Sequence, residues 1–417
     1  MKKTLTLCIA LLFGAQLLAK PYTQQGVAYL YDYKTKTKSP ISNVSLTVAY
    51  AMGPAISQAD GTFVIEFQDF GAGKKLAFEK LPFGQGLIVL NKKEVDEWST
   101  FEGVLTLIMC NKKDFDACKQ NYYEVGLESV TRQYEQKIAA LQKESADYLQ
   151  RLQELEEARD RILDNLRNSA DAMARIDQSE LDAAMQEVLD LYEEGNVEEA
   201  MKKLEEMKLE EKFVQTIDRK HEGERIVMEA TKDSVLVLNK LRTSVEMHKN
   251  SGNWGKAAET LKLLADKLNT FDDIFAYAYF CHNQNDFQNA ETYYEKALNS
   301  SQRLMNNNPE EYGQDVANTL NNLALLYTNT SRLSEAEEMY KQALEIFQRL
   351  VKLNPQAYEP NAAMTIVNLA DLYSDTQRLK EAEEMYQHAL EIFQRLGKDN
   401  PMYQQIIENI ERFLKEM

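Results

Sequence analysis

The chain has 417 residues, is 27% charged and carries a formal net charge of −18. That length exceeds one ordinary core and implies two or three domains. The acidic excess argues against nucleic acid as a partner, because it repels phosphate backbones, and four cysteines are too few for a disulfide-rich scaffold.

The first residues, "MKKTLTLCIALLFGAQLLAK", read as an export signal covering 1–19. Lys2 and Lys3 give the positive start. Leu5 to Leu18 form an apolar stretch too short to span a bilayer comfortably, and Ala19 supplies a small residue for cleavage. Cys8 lies near the start of that stretch, where lipidation does not use it. No later segment is apolar enough to span a membrane. The expectation is a mature protein of the periplasm or cell envelope.

Residues 20–110 read as β. "GVAYLYDY", "VSLTVAY", "TFVIEF", "KLAFEKL", "GLIVL" and "VLTLIMC" are short β-branched and aromatic runs separated by turn residues. This stretch has nine lysines, no arginine and nine acids, so all the acidic excess lies beyond residue 110. Asp60-Gly61 is the sharpest turn signal and predicts a two-residue hairpin. The spacing suits a small sandwich. "SPISNVSLTV" followed by "AISQADGTFVIEF" resembles the carboxypeptidase-regulatory-like domain, a prealbumin-type β-sandwich, through Pro40, Asn43, Val44, Asp60, Gly61 and Phe63. The resemblance implies a non-catalytic docking or spacing module. Tyr29, Tyr31 and Tyr33 alternate along one strand face. They suit either a sugar platform or a buried contact. Cys110 and Cys118 could pair across a short loop or remain free.

Residues 111–180 read as a long helix or coiled coil. From Tyr134 to Ser169 a heptad can be written without a slip: Tyr134, Leu141, Tyr148, Leu155 and Ile162 on one set of core positions, Ile138, Ser145, Leu152, Arg159 and Leu166 on the other. Either a homodimer or packing against the same chain satisfies it.

Residues 181–417 repeat. "LDLYEEGNVEEAMKKLEEM", "HKNSGNWGKAAETLKLLADKL" and "CHNQNDFQNAETYYEKAL" share helix, turn, and a second helix with an early small residue. Ala257 and Ala290 are 33 residues apart; Ala290, Ala336 and Ala382 follow at 46, and Pro309, Pro355 and Pro401 keep the same interval. A fixed period of this kind means a solenoid of helix pairs. From Asn322 and Asn368 onward, 22 of 29 aligned residues are identical. Leu323, Ala324, Tyr327, Ala336, Tyr340 and Ala343, matched by Leu369, Ala370, Tyr373, Ala382, Tyr386 and Ala389, resemble tetratricopeptide repeats of the kinesin-light-chain type. The clearest copies are 270–315, 316–361 and 362–407. The closing "QQIIENIERFLKEM" reads as a terminal cap.

The resemblance implies that the first helix of each pair lines a concave groove for a protein or peptide. It assigns that groove to Asn318, Asn321, Asn322, Thr328 and Asn329, to Asn368, Asp371 and Ser374, and to Tyr279, His282 and Asn283. Asparagine carries donors and an acceptor and can clamp a peptide backbone without reading its sequence. The Lys and Arg of the carboxylate-clamp version are absent. No catalytic, cofactor or metal site is expected. "FGAGKK" (Phe70 to Lys75) lacks the flanking residues of a phosphate loop, and His221, His248, His282 and His388 have no ligand-like spacing. The expected fold is a small all-β sandwich, a helical linker and an all-α repeat solenoid. The expected role is a non-enzymatic scaffold; a cell-wall or carbohydrate adaptor working through the β domain is the other reading.

Overall fold

The computed structural model describes residues 22–67, 76, 78–80, 86–96, 98, 103–141, 147–221, 232–306, 308–396 and 401–416. The export signal and the Phe70–Lys75 segment lie outside them. The chain forms two compact units. One takes residues up to Leu30, Ser39–Gln85 and Asn91–Met109; the other takes Tyr31–Lys38, Gly86–Leu90 and Cys110 onward. The boundary expected at residue 110 is therefore only one of several crossings.

The β region of the chain contains β1 (Tyr22–Asp32), β2 (Thr37–Pro40), β3 (Ser45–Val48), β4 (Ala55–Ile56), β5 (Thr62–Phe67), β6 (Phe78–Lys80), β7 (Leu87–Val89), a short α1 (Lys92–Asp96) and β8 (Leu105–Asn111), of which β7 belongs to the second unit. β1 pairs antiparallel with β5 and parallel with β8, while β3 pairs with β4 and β6 in a second sheet. Strict alternation along β5 buries Phe63, Ile65 and Phe67 and exposes the residues between them, as a strand with one covered face requires. The Phe63 ring lies over Gly26, where a Cβ would come within 2.1 Å of it. Asp60-Gly61 does form a tight turn. Gln58 N donates to Thr62 O, and the Asp60 carboxylate accepts from Thr62. It is not a hairpin, however, because β4 and β5 belong to different sheets. Gly61 holds φ +81 with no room for a Cβ, which would meet Ala28 O at 2.5 Å. The turn thus carries the chain from one sheet to the other.

The helical unit begins with α2 (Lys112–Ala139) and α3 (Tyr148–Ala174). Tyr134 and Ile138 fall on α2 and Tyr148, Leu152, Leu155, Arg159, Ile162 and Leu166 on α3; Leu141 follows the end of α2, and Ser145 lies outside the described residues. Val130, Tyr134 and Ile162 form one buried cluster, with Leu155 and Trp254 against it. Part of the apolar stripe is thus covered by its own chain, while Ile138, Tyr148 and Leu152 are half-buried. Gly126 in α2 lets the backbone approach closely, since a Cβ there would lie 2.7 Å from Asn250 O. Cys110 and Cys118 are free thiols. The expected loop between them is helix, which carries Cys118 about 9 Å along the axis from Lys112. Burial pushes the two thiols up, to about 11 and about 12. Cys281 is buried as a small apolar residue. In this unit Tyr31 is buried and Tyr33 donates to Ala174 O at 2.5 Å. These rings are committed to packing, which removes two of the three aromatics of a sugar platform.

Helix pairs follow: α4 (Ala183–Glu193) with α5 (Val197–Glu206), α6 (Leu209–His221), α7 (Lys232–Asn250) with α8 (Trp254–Leu268), α9 (Phe271–Asn283) with α10 (Phe287–Met305), α11 (Pro309–Asn329) with α12 (Leu333–Leu353), α13 (Pro355–Asp375) with α14 (Leu379–Leu396), and α15 (Pro401–Glu416). Five turns between paired helices share one geometry. Gly195, Gly252, Asn285, Ser331 and Gln377 all have positive φ. Each donates its N–H three residues back, and the next residue donates five residues back: Arg332 N to Tyr327 O at 2.7 Å, Arg378 N to Tyr373 O at 2.8 Å. This is the left-handed helix stop in which two otherwise orphaned carbonyls are satisfied. Five residues beyond each left-handed position stands a fully buried alanine: Ala200, Ala257, Ala290, Ala336 and Ala382. The turn sets the angle at which the second helix leaves, and alanine lets it cross the first closely. Large side chains fill the space between neighbouring pairs, with Tyr294, Tyr340 and Tyr386 each buried.

An L-residue in the left-handed region costs about 1–2 kcal/mol, part of which glycine gives back in chain entropy. Ser331→Gly should therefore raise stability by about 0.5–1 kcal/mol, read as a higher denaturant midpoint. His248 is buried, and desolvation lowers its pKa to about 4. The unfolded chain then binds the extra proton, so stability is complete above about pH 6.5 and declines toward pH 4, by up to about 3 kcal/mol. His248→Gln should flatten that part of the pH dependence, measured as the wild-type-minus-variant difference in unfolding midpoint.

Candidate functional site

The first helix of each long pair (α9, α11 and α13, the A helices) lies beside its successor, and polar bonds join them. Asn368 Nδ2 in α13 donates to Asn321 Oδ1 in α11 at 3.1 Å. Asn329 in α11 donates to His282 Nε2 in α9 at 2.9 Å. Residues from three repeats therefore share one face. Asn322 is half-buried and donates to Asn318 O in its own helix at 2.9 Å. Thr328 likewise bonds back to Ala324 O. Tyr279, Asn283, Asn329 and Asp371 are exposed on this face, and Ser374 is half-buried.

One expected groove residue is placed differently. His282 is buried against Phe287 and Tyr294, and burial lowers its pKa. It supports Asn329 from below. Desolvation raises the Asp371 carboxyl, although the Tyr386 hydroxyl donates to it and works the other way. Two residues missed in the sequence also lie here. Leu325 and Met364 are large apolar side chains, each 38% exposed. The signal was present: Leu325 occupies the register of Tyr279 and Asp371, one period away on either side. An apolar residue inside an apolar repeat does not declare its direction until the helix is placed.

The second helices (B helices) are tied together by a different device. Arg332 lies 3.9 Å above the Tyr327 ring and grips Glu335 through two bonds, while its remaining arm reaches Glu291 of the preceding B helix at 2.5 Å. Arg378 repeats this with Tyr373, Glu381 and Glu337, one period on. Burial disfavours ionisation of Glu337, but Lys341, Arg378 and Tyr373 hold its carboxyl below the usual range. The planar guanidinium suits stacking and paired contacts together, which lysine could not provide.

Residues 273–349 and 362–400 match two family models, each described as tetratricopeptide repeat. The C-terminal helices are thus tetratricopeptide repeats, a class that serves as protein-interaction scaffolding. No curated protein matches the chain. Among solved structures, the crystal structure of BtubC (BKLC) from P. vanneervenii is similar at 22% identity, over 59% of this chain and 89% of that one, with a TM-score of 0.37. Among the described residues, no helix is long and apolar enough to cross a membrane, and no three His, Cys, Asp or Glu side chains cluster as metal ligands.

The Asn321–Asn368 bond makes a direct prediction. A cycle of Asn321→Ala, Asn368→Ala and the double variant should give a coupling energy of about 0.5–1.5 kcal/mol. A value of zero by chemical denaturation would mean that the amides do not pair.

Proposed function

We propose that this protein is an exported, non-enzymatic scaffold that holds an extended segment of a partner protein along its A-helix face. The observation that carries this reading is the alternation of amides with exposed apolar side chains across three successive repeats. Asn322, Asn329 and Asn283 offer backbone-directed hydrogen bonds, and Tyr279, Leu325 and Met364 offer apolar contact. That combination suits a peptide recognised through both its main chain and its side chains. The export part of the proposal rests on Lys2, Lys3, the leucine-rich stretch and Ala19. The carbohydrate reading has lost its best support, because Tyr31 and Tyr33 are taken up in packing.

The test joins stability to capture. Asn322→Ala combined with Leu325→Ala should leave the unfolding midpoint nearly unchanged, since open helix positions shift stability by less than about 0.5 kcal/mol each. Capture of the partner recovered with the wild-type protein should weaken by about fivefold or more per residue lost. Full retention of binding with intact stability would remove the A-helix face as the site. Cell fractionation tests export separately: the mature chain should begin near Lys20 and lie outside the cytoplasm.

A further inference from the structure

A cavity of about 610 Å³ opens within the helical unit. It is bounded by α2, α3, the turn between α4 and α5, and the turn between α7 and α8. Its volume falls in the range of small-ligand sites, which extends from about 300 to 1,000 Å³. Its charge opposes that of the molecule. In a chain with 66 acids against 48 lysines and arginines, this lining holds three cations, Arg132, Lys137 and Arg161, against two acids, Glu128 and Glu198.

The cations are not equivalent. Arg132 is bonded to Glu128. Lys137 sits 4.4 Å above the Tyr134 ring. The Arg161 guanidinium makes no hydrogen bond or ion pair with any described residue. A fork of five donors is thereby left at the cavity, suited to a carboxylate. Beside it stand the Tyr134 and Trp254 rings. The Trp254 ring is stacked on Phe280 with centroids 5.6 Å apart, and its indole N–H is buried with no acceptor among the described residues. A buried donor without a partner is uncommon and calls for one. Finally, a Cβ built at Gly255 meets nothing within 4 Å, so the wall there is open space.

We propose that this cavity binds a small organic acid, with its carboxylate against Arg161 and its aromatic or aliphatic body against Tyr134 and Trp254. The site is independent of the peptide face and stands or falls separately.

Trp254 reports on its own site, because Trp98 is the only other tryptophan. In a Trp98→Phe background, titration with 4-phenylbutyrate should change the fluorescence saturably. The neutral 4-phenylbutyramide should bind at least about tenfold more weakly. Arg161→Gln should reduce affinity for the acid to that of the amide. Gly255→Leu, which fills open space, should abolish both responses while circular dichroism stays unchanged. Calorimetry on the unmodified chain provides the same acid-to-amide comparison without the tryptophan substitution. The absence of saturable binding, equal binding of acid and amide, or indifference to Arg161→Gln would overturn the proposal.

Discussion

The repeats depend on one local constraint: a left-handed residue placed five positions ahead of a buried alanine. The turn satisfies two helix-end carbonyls and fixes the exit direction of the next helix. Alanine then permits a close crossing that any larger side chain would block. Five turns obey this rule, at Gly195, Gly252, Asn285, Ser331 and Gln377. The period lengthens from 33 to 46 residues because the added length extends the helices and leaves the turn alone. Stacking follows, because a single pair leaves an apolar flank that only its neighbour can cover.

Once the pairs stack, their two sides are joined by interactions of different character. B helices are linked through arginines that stack on tyrosine and bind two glutamates, one from the preceding B helix. A helices are linked through single neutral bonds, Asn321 to Asn368 and Asn329 to His282. Partly exposed ion pairs contribute modestly one by one, yet their exact repetition sets the register of neighbouring pairs. The amide side keeps spare donors and acceptors, since each asparagine has more hydrogen-bonding capacity than one bond uses. That asymmetry is the physical basis for placing recognition on the A helices.

Much of this architecture was legible in the sequence, because burial in repeats obeys short periods. The alanine spacing located the helix pairs, and the strand alternation from Thr62 to Phe67 located the β core. What was not legible depended on direction and partner. Asp60-Gly61 announced a tight turn, but a turn signal does not say whether the next strand joins the same sheet. The unbroken heptads from Tyr134 to Ser169 could not reveal that the helix ends at Ala139 and resumes at Tyr148. Asn285, Ser331 and Gln377 concealed their left-handed conformation because none is glycine. At the candidate site the asparagines were read from their register, whereas burial of His282 and exposure of Leu325 and Met364 required the helices to be placed.

The central claim is that polypeptide is held on the A-helix face. The most direct measurement is site-specific photocrosslinking in the native host, with a benzophenone side chain at Leu325 in one strain and at Glu345, on the exposed side of a B helix, in another. The account predicts a discrete polypeptide adduct from position 325 and none from position 345. An adduct from position 345 alone would contradict it.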